Sequence, residues 1–230
     1  MADCAIIQPG RTGDIIICLP IARYKKLQGY TVFWPVHRDY LSMMDYVDYV
    51  NSLPVDGPVG NSRQKAIDLI RRQIYKKTEV YDIAIGFKGH PLNREWYKTG
   101  LSFDQWKYQQ CNVLFEEKYK LVINRNKEKE AKLKGLVCPD VDYIVTHGTG
   151  TAYNFDFCDI KNAVEVRPIG GFTIFDWAGV IEDAKALYCV DSCVFNLANQ
   201  LNLCVNRRYV CLWNKDYLTP RYKADWQKLN

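Results

Sequence analysis

The sequence predicts an α/β protein of two Rossmann-like domains, each built on a parallel sheet covered by helices. Short apolar runs of strand type recur along the 230 residues and alternate with segments of helical spacing or loop composition. Glycine-containing turns follow several of these runs, and a charged segment interrupts the alternation near the middle of the chain. Alternation of this kind favours parallel sheets, because the crossover segments between parallel strands cover the faces of the sheet.

The predicted strands are runs rich in apolar and β-branched residues and bounded by turn residues. The charged run Asn124–Gly135 lies between the third and fourth of them and predicts a surface helix beside a linker. We therefore assign residues 1–120 to the first domain and residues 121–230 to the second. The strand runs are Cys4–Gln8, Tyr30–Trp34, Val80–Phe87, Val141–His147, Ala163–Ile169, Ala186–Val190 and Tyr209–Trp213.

Composition limits the class of protein. A chain with 48% hydrophobic and 25% charged residues can bury a core. Neither a signal peptide nor an apolar run of membrane-span length is present, so the sequence predicts a cytoplasmic protein without a membrane span. The nine cysteines are scattered and many lie in apolar runs, which favours buried free thiols over disulfides or a zinc site.

The first candidate site is the turn Gly10–Asp14, which leads from the first strand run into the apolar segment Ile15–Pro20. A turn from a strand into a helix leaves backbone N–H groups and the positive end of the helix dipole at the sheet edge, where α/β proteins bind ligands. The glycine spacing is neither that of a dinucleotide fingerprint nor that of a P-loop. Asp14 has two interpretations, helix N-cap or catalytic carboxylate, and the residues alone leave both open.

Two further turns offer groups that suit a diphosphate. His147–Ala152 follows the fourth strand run, and Cys189–Ala198 takes another apolar strand through Asp191 and Ser192 into a helix. Small residues let phosphate approach the backbone, and hydroxyls can donate to its oxygens. Each turn also has a plain structural alternative, an ordinary strand-to-helix turn in the first case and a helix N-cap in the second.

The order of these pieces resembles the heptosyltransferase-like glycosyltransferases of family 9. That family opens with a G-x-x-G-D turn and an apolar helix containing proline, as Gly10–Asp14 and Pro20 do here. Phe172–Ser192 is similar to its helix, short turn and strand that lead into the nucleotide-sugar motif. The chain looks like a compact, divergent member of the kind that a phage encodes, with Cys193 and Asn196 where the family usually has Gly and His.

The resemblance implies a GT-B-like fold, with the two parallel sheets facing a central crevice. It also implies an inverting transfer without a metal, in which the nucleotide-sugar is a co-substrate and there is no other cofactor. Asp14 takes the position of the family's catalytic base, which accepts the proton of the attacking hydroxyl. The residues predicted to bind the donor are Gly13, Thr149, Gly150, Thr151, Arg167, Asp191, Ser192, Cys193 and Asn196.

The acceptor is expected to bind the first domain. An aromatic and basic stretch, His90–Tyr108, suits stacking on a ring and contact with phosphates, and its alternative is core packing with a few exposed charges. Two acceptors stay open, a hydroxymethylated base in DNA and a phosphorylated surface glycan, and the net charge of +5 fits both. The residues predicted to bind the acceptor are Arg11, Arg94, Trp96 and Trp106.

A function of another class also fits the sequence. A nucleotide-binding or nucleic-acid-binding protein could retain this fold without catalysing transfer. Cys193 and Asn196 favour that alternative, because neither supplies what the family motif usually has at its position. Asp14 favours the enzyme.

Overall fold

The computed structural model describes residues 2–73, 78–92, 95–150, 153–203, 205–212 and 219–229. The chain divides into two compact units, Met1–Asn124 and Arg125–Asn230. This division falls close to residue 120, where the sequence places the domain boundary. Among the described residues, no helix combines the length and the apolar composition that a bilayer crossing requires.

The first unit contains a parallel sheet with the strand order β3-β2-β1-β4. Helix α1 is apolar over most of its surface and buries Ile15, Ile16, Leu19 and Ile21 completely. Its strands are β1 (Asp3–Ile7), β2 (Thr31–His37), β3 (Asn51–Val55) and β4 (Glu79–Asp82). Its α-helices are α1 (Thr12–Leu27), α2 (Leu41–Met44), α3 (Ser62–Gln73) and α4 (Phe103–Gln110). Short 3-10 helices occur at Arg38–Tyr40, Val59–Asn61, Trp96–Thr99 and Phe115–Tyr119.

The second unit contains a parallel sheet with the strand order β6-β5-β7-β8-β9. Its central strands are buried, and Val145, Leu187 and Val190 are fully inaccessible to solvent. The strands are β5 (Ile144–His147), β6 (Ala163–Glu165), β7 (Ala186–Val190), β8 (Arg208–Cys211) and β9 (Trp226–Lys228). The helices are α5 (Lys127–Val137), a 3-10 turn at Ile174–Trp177, α6 (Ala178–Glu182) and α7 (Cys193–Leu201).

The predicted strand runs each contain a strand, but among the described residues the sequence misses β3 and β9 and misplaces several strand ends. Strand β3 contains Pro54 and lies at the edge of the sheet, next to β2. An edge strand tolerates proline because the N–H groups on its outer side have no partner strand. The run Val80–Phe87 stays a strand only to Asp82. Beyond that point the chain is no longer a strand, but Ile83, Ala84 and Phe87 are buried in the core, which explains why the apolar run continues.

The described cysteines are free thiols, and most of them are buried as predicted. Burial raises the pKa of the Cys4 thiol to about 11 and that of the Cys18 thiol to about 12. At neutral pH both therefore stay protonated and behave as small apolar side chains.

Arg125 ties the start of α5 to the end of α6. Its guanidinium donates to both oxygens of Glu130 and both oxygens of Glu182, over distances of 2.6–2.7 Å. Burial raises the pKa of Glu130, but the hydrogen bonds from Arg125 and Lys127 outweigh it and hold that pKa below its ordinary value of 4.5. The stabilisation from Glu130 is thus complete above pH 4.5 and is lost as the pH falls through the lowered pKa.

We expect Arg125→Met to lower the free energy of unfolding by about 2 kcal/mol at pH 7, because it leaves a buried carboxylate with one remaining cation. Chemical denaturation measures the change. Lys134→Met is the matched control, since it breaks an exposed ion pair with Asp183 that should contribute less than about 1 kcal/mol. Equal effects of the two substitutions would show that the Arg125 network adds nothing beyond a surface pair.

Candidate active site

The turn between β1 and α1 places the start of α1 at the carboxyl edge of the first sheet. Arg11 is the N-cap residue of α1 and has a φ of 65°, a left-handed conformation that few non-glycine residues adopt. Pro9 O accepts a hydrogen bond from His37 N at 2.7 Å. A Cβ at Gly10 would lie 2.9 Å from the Tyr40 ring, so this position requires glycine. These contacts fix the path of the turn.

Asp14 lies in the first turn of α1. The N-cap interpretation of Asp14 is therefore wrong, because Arg11 occupies the cap and the helix has already begun at Thr12. The Asp14 carboxylate lies 3.0 Å from the ammonium of Lys107, measured from Oδ1 to Nζ. The Asp14 side chain is 15% exposed and the Lys107 side chain 0%. A carboxylate in this position interacts favourably with the positive end of the helix dipole and with the neighbouring cation.

Lys107 belongs to the aromatic and basic stretch that the sequence predicts to contact the acceptor, but its side chain is fully buried and its contact with Asp14 was not predicted. It extends from α4 and donates to Gln8 Oε1 at 2.5 Å and to the Ile83 carbonyl at 3.0 Å, in addition to its ion pair with Asp14. Gln8 is itself fully buried and donates from Nε2 to the Gly10 carbonyl at 3.0 Å. The available sequence signal was Gln8, a polar residue at the end of an apolar strand.

Arg11 presents its guanidinium at the surface of the first unit. Nη2 donates to the Gly86 carbonyl at 2.9 Å, and the guanidinium carbon lies 5.0 Å from the centre of the Phe87 ring. A Cβ at Gly86 would lie 2.8 Å from Nη1, and Gly86 has a φ of 85°, so glycine is required there. The side chain remains exposed, and an anion can reach it.

The predicted acceptor residues on the aromatic stretch have a different role from the one expected. Trp96 is 6% exposed and Trp106 2% exposed, so neither ring has an open face for stacking on an acceptor. Trp106 packs edge-on against His90, with ring centres 5.9 Å apart. This matches the core-packing alternative for both tryptophans. Arg94 lies outside the described residues.

A second polar cluster, which the sequence did not reveal, surrounds Asp82 at the end of β4. Arg63 donates to both carboxylate oxygens of Asp82 and to the Gly89 carbonyl, and it is only 7% exposed. The His90 ring contacts the Asp82 carbonyl at 3.2 Å. Burial lowers the pKa of His90. Arg63 therefore stabilises the fold here through its ion pair with Asp82.

In the second unit, His147 and Ser192 meet at the carboxyl edge of the sheet. Strands β5 and β7 are parallel neighbours with His147 opposite Cys189, so both chains leave the sheet on the same side. Ser192 Oγ lies 2.9 Å from His147 Nδ1. Burial lowers the pKa of His147 to about 4, so the ring is neutral at pH 7. Depending on its tautomer, the neutral imidazole either donates a hydrogen bond from Nδ1 to the Ser192 hydroxyl or accepts one from it.

Ser192 is the N-cap residue of α7, but its side chain does not cap the helix. At the next position burial raises the pKa of the Cys193 thiol to about 11, against the smaller opposing effect of the N–H groups of Val194 and Cys193 itself. One turn on, Asn196 is 4% exposed and donates from Nδ2 to the Ser192 carbonyl at 3.0 Å. Its Oδ1 is buried without a hydrogen-bond partner in the described structure, a costly arrangement that a ligand donor would relieve.

The described parts of the loop after β5, on either side of residues 151–152, are hydrogen-bonded to each other. Gly150 N donates to the Tyr153 carbonyl at 3.0 Å, and Phe155 N donates to the Gly148 carbonyl at 2.8 Å. Thr149 is exposed, with its backbone bridged to Asn154. The N–H of Gly150 is thus already paired, which leaves the Thr149 hydroxyl as the described group of this loop that can meet a ligand.

The remaining predicted donor residues fall as follows. Arg167 is exposed and follows the end of β6, so it leaves the sheet on the same side as His147. Asp191 N donates to the Cys211 carbonyl at 3.3 Å. Gly13 lies in the first turn of α1, in the other unit. Thr151 lies outside the described residues.

The described residues define an α/β protein whose parallel sheets carry polar side chains at their carboxyl edges. No protein-family model matches the chain, and no curated protein matches its sequence. Solved structures do match. A family 9 glycosyl transferase from Veillonella parvula shares 10% identity at a TM-score of 0.66, over 99% of this chain and 85% of that one.

Two E. coli structures are also similar. ADP-heptose LPS heptosyltransferase II gives 10% identity and a TM-score of 0.64, over 100% of this chain and 90% of the other. Heptosyltransferase WaaC with ADP gives 12% identity and a TM-score of 0.52, over 98% and 92%. At these identities the likeness shows the fold. The predicted α/β class, GT-B-like with parallel sheets in two Rossmann-like units, is confirmed.

Proposed function

We propose that this protein is a glycosyltransferase that moves a sugar from a nucleotide-sugar donor to an acceptor hydroxyl with inversion. The observation that supports it most strongly is the position of Asp14, a partly exposed carboxylate in the first turn of α1, within a fold shared with glycosyltransferases. A base for the acceptor proton is the one chemical group that such a transfer requires from the protein.

The donor binds the second unit in this proposal. The N-terminal end of α7 attracts anions, and Ser192, Cys193 and Asn196 lie in its cap and first turn. The buried Oδ1 of Asn196 needs a hydrogen-bond donor, which a hydroxyl group of the nucleotide-sugar can supply while Nδ2 keeps its bond to the Ser192 carbonyl. The likeness to WaaC, whose structure contains ADP, supports a nucleoside diphosphate as part of the donor. Thr149, Gly150, Thr151, Arg167 and Asp191 complete the proposed donor site in the second unit. A donor contact of Gly13, in the first unit, stays a prediction from the sequence.

The reaction is a single displacement. The acceptor oxygen forms a bond to the anomeric carbon while its proton passes to the Asp14 carboxylate. The bond between the anomeric carbon and the diphosphate oxygen breaks, and its electron pair stays on the diphosphate. The α7 dipole and the Ser192 hydroxyl stabilise that growing negative charge, so the proposal assigns no step to a metal or a cofactor.

The acceptor contacts the first unit near Arg11. Its guanidinium is exposed and held in place by Gly86 and Phe87, which suits an acceptor that carries phosphate. We retain two acceptors, a hydroxymethylated base in DNA and a phosphorylated surface glycan. Salt separates them, because binding to DNA should weaken steeply as the salt concentration rises.

One observation favours a second candidate function, a nucleotide-binding or nucleic-acid-binding protein without transfer activity. Asp14 shares its Oδ1 with a buried lysine, and an aspartate in that position also serves as a counter-charge for the lysine. Under this alternative Asp14 matters for stability alone, and donor binding persists without turnover.

A thermal-shift screen with UDP-, ADP-, GDP-, CMP- and dTDP-sugars, with and without hydroxymethylated DNA, tests the proposal. A donor at about 100 times its dissociation constant should add about 2.7 kcal/mol of stability, which corresponds to about 5–10 °C for a protein of this size. A transfer assay with the stabilising donor follows. Stabilisation by a nucleotide-sugar without transfer to either acceptor would support a nucleotide-binding protein. No stabilisation by any nucleotide-sugar would contradict the glycosyltransferase, and stabilisation by DNA alone would then support the nucleic-acid-binding protein.

A further inference from the structure

We propose that Lys107 is a positioning residue for the transfer reaction, which holds the Asp14 carboxylate in the orientation that proton transfer needs. The inference rests on the proposed function. Lys107 itself touches neither donor nor acceptor, because its side chain is 0% exposed. Its effect reaches the reaction through Asp14.

Each of the three N–H groups of the Lys107 ammonium has a hydrogen-bond acceptor. The three acceptors are Asp14 Oδ1 at 3.0 Å, Gln8 Oε1 at 2.5 Å and the Ile83 carbonyl at 3.0 Å. An ammonium group has three N–H bonds and no acceptor capacity, so this set matches the charged form. A buried cation is costly unless it is paired and fully hydrogen-bonded, and here it is both.

These acceptors lie on three separate elements. Gln8 follows β1, Ile83 follows β4, and Asp14 is in the first turn of α1. Gln8 also donates to the Gly10 carbonyl and accepts from the Trp34 indole through its backbone oxygen, at 3.0 and 2.9 Å. The ammonium is therefore fixed relative to the sheet, and it fixes one carboxylate oxygen of Asp14 in turn.

This geometry has a consequence for catalysis. A carboxylate that can rotate freely spends part of its time facing away from the acceptor hydroxyl, whereas one anchored through Oδ1 keeps a constant direction. Loss of Lys107 should thus slow the chemical step and leave donor binding in the other unit unchanged.

The matched control is Lys118, which pairs with Asp104 at 2.6 Å and is also 0% exposed. Lys118→Met removes an equally buried cation from the same unit but leaves Asp14 and Lys107 in place. Both variants are expected to lose stability. Only a role in positioning Asp14 predicts that they differ in kcat per folded protein.

The experiment compares full-length wild type, Lys107→Met, Lys118→Met, Asp14→Asn and the double variant of Asp14 and Lys107 in a transfer assay. We expect Lys107→Met to lower kcat about 10- to 100-fold with the donor KM changed less than about twofold. The double variant should be no slower than Asp14→Asn alone. Should Lys107→Met fail to fold, Lys107→Gln keeps a polar group among the same acceptors and takes its place.

The results of the transfer assay distinguish a positioning role of Lys107 from a purely structural one and from failure of the proposed function. A folded Lys107 variant with the wild-type kcat, or losses that multiply in the double variant, would overturn the assignment of Lys107 while Asp14→Asn still tests the base. A kcat loss of the same size in Lys118→Met would reduce Lys107 to a structural role. No transfer by the wild type with any donor and acceptor would overturn the proposed function, and the positioning role with it.

Discussion

Replacing Asp14 with Asn is expected to reduce the transfer rate by about 10²- to 10⁴-fold, the range found for loss of a positioned general base. Asparagine has nearly the same size and keeps an oxygen for the Lys107 ammonium, so the local hydrogen bonds can persist. It has no basic oxygen that could take the proton from the acceptor. The proposed donor site lies in the other unit, so stabilisation by the nucleotide-sugar should match that of the wild type.

Steady-state kinetics and donor thermal shifts, measured on the same samples, check this prediction. Asp104→Asn is the control, because Asp104 is also paired with a buried lysine and has no proposed part in the chemistry. It should cost stability and keep kcat per folded protein. Transfer by Asp14→Asn at more than about a tenth of the wild-type rate would remove Asp14 as the base.

The fold could be predicted from the sequence largely because the apolar strand runs are local signals. A run such as Ala186–Val190 is buried on both faces and reads directly as a strand of a covered sheet. Strand β3 lacks that signal, because Asn51 and Ser52 are polar and Pro54 has no N–H group to donate. The strand tolerates these residues because it lies at the sheet edge and pairs with β2 on one side. Ile83–Phe87 shows the reverse error, in which burial of a loop imitates a strand.

The candidate site could be predicted only at the positions where a turn leaves a strand. The residue types in Gly10–Asp14 and at Ser192 point to the carboxyl edges of the sheets, and both lie there. Their partners could not be predicted, because Lys107 is separated from Gln8 by 99 positions and His147 from Ser192 by 45. Such contacts depend on the packing of whole elements.

Aromatic residues gave the least reliable prediction of the site. Trp96 and Trp106 lie in a stretch with several cations, which fits a stacking surface as well as it fits a core segment. A large ring contributes more stabilisation by burial than most side chains, so core packing is its usual role in a small domain. The structure places both indoles in the interior, and the exposed cation at this end of the first unit is Arg11.

Ser192→Asp is expected to abolish donor binding while the protein keeps or gains stability. Aspartate is among the best N-cap residues, and its charge interacts favourably with the α7 dipole. A helix that only needs a cap should therefore tolerate the change. A donor diphosphate at the same helix end would meet a like charge, which costs several kcal/mol and corresponds to at least about a 100-fold loss of affinity.

The stability of Ser192→Asp and its affinity for the donor change in opposite directions only if the end of α7 binds the donor. Denaturation gives the stability of Ser192→Asp, and titration with the stabilising nucleotide-sugar gives its affinity. Ser192→Ala is the companion variant, since it removes the hydroxyl next to His147 without adding charge and should weaken donor binding by about tenfold. If Ser192→Asp binds the donor as tightly as the wild type, the diphosphate does not lie at α7, and Ser192 and His147 serve the fold alone.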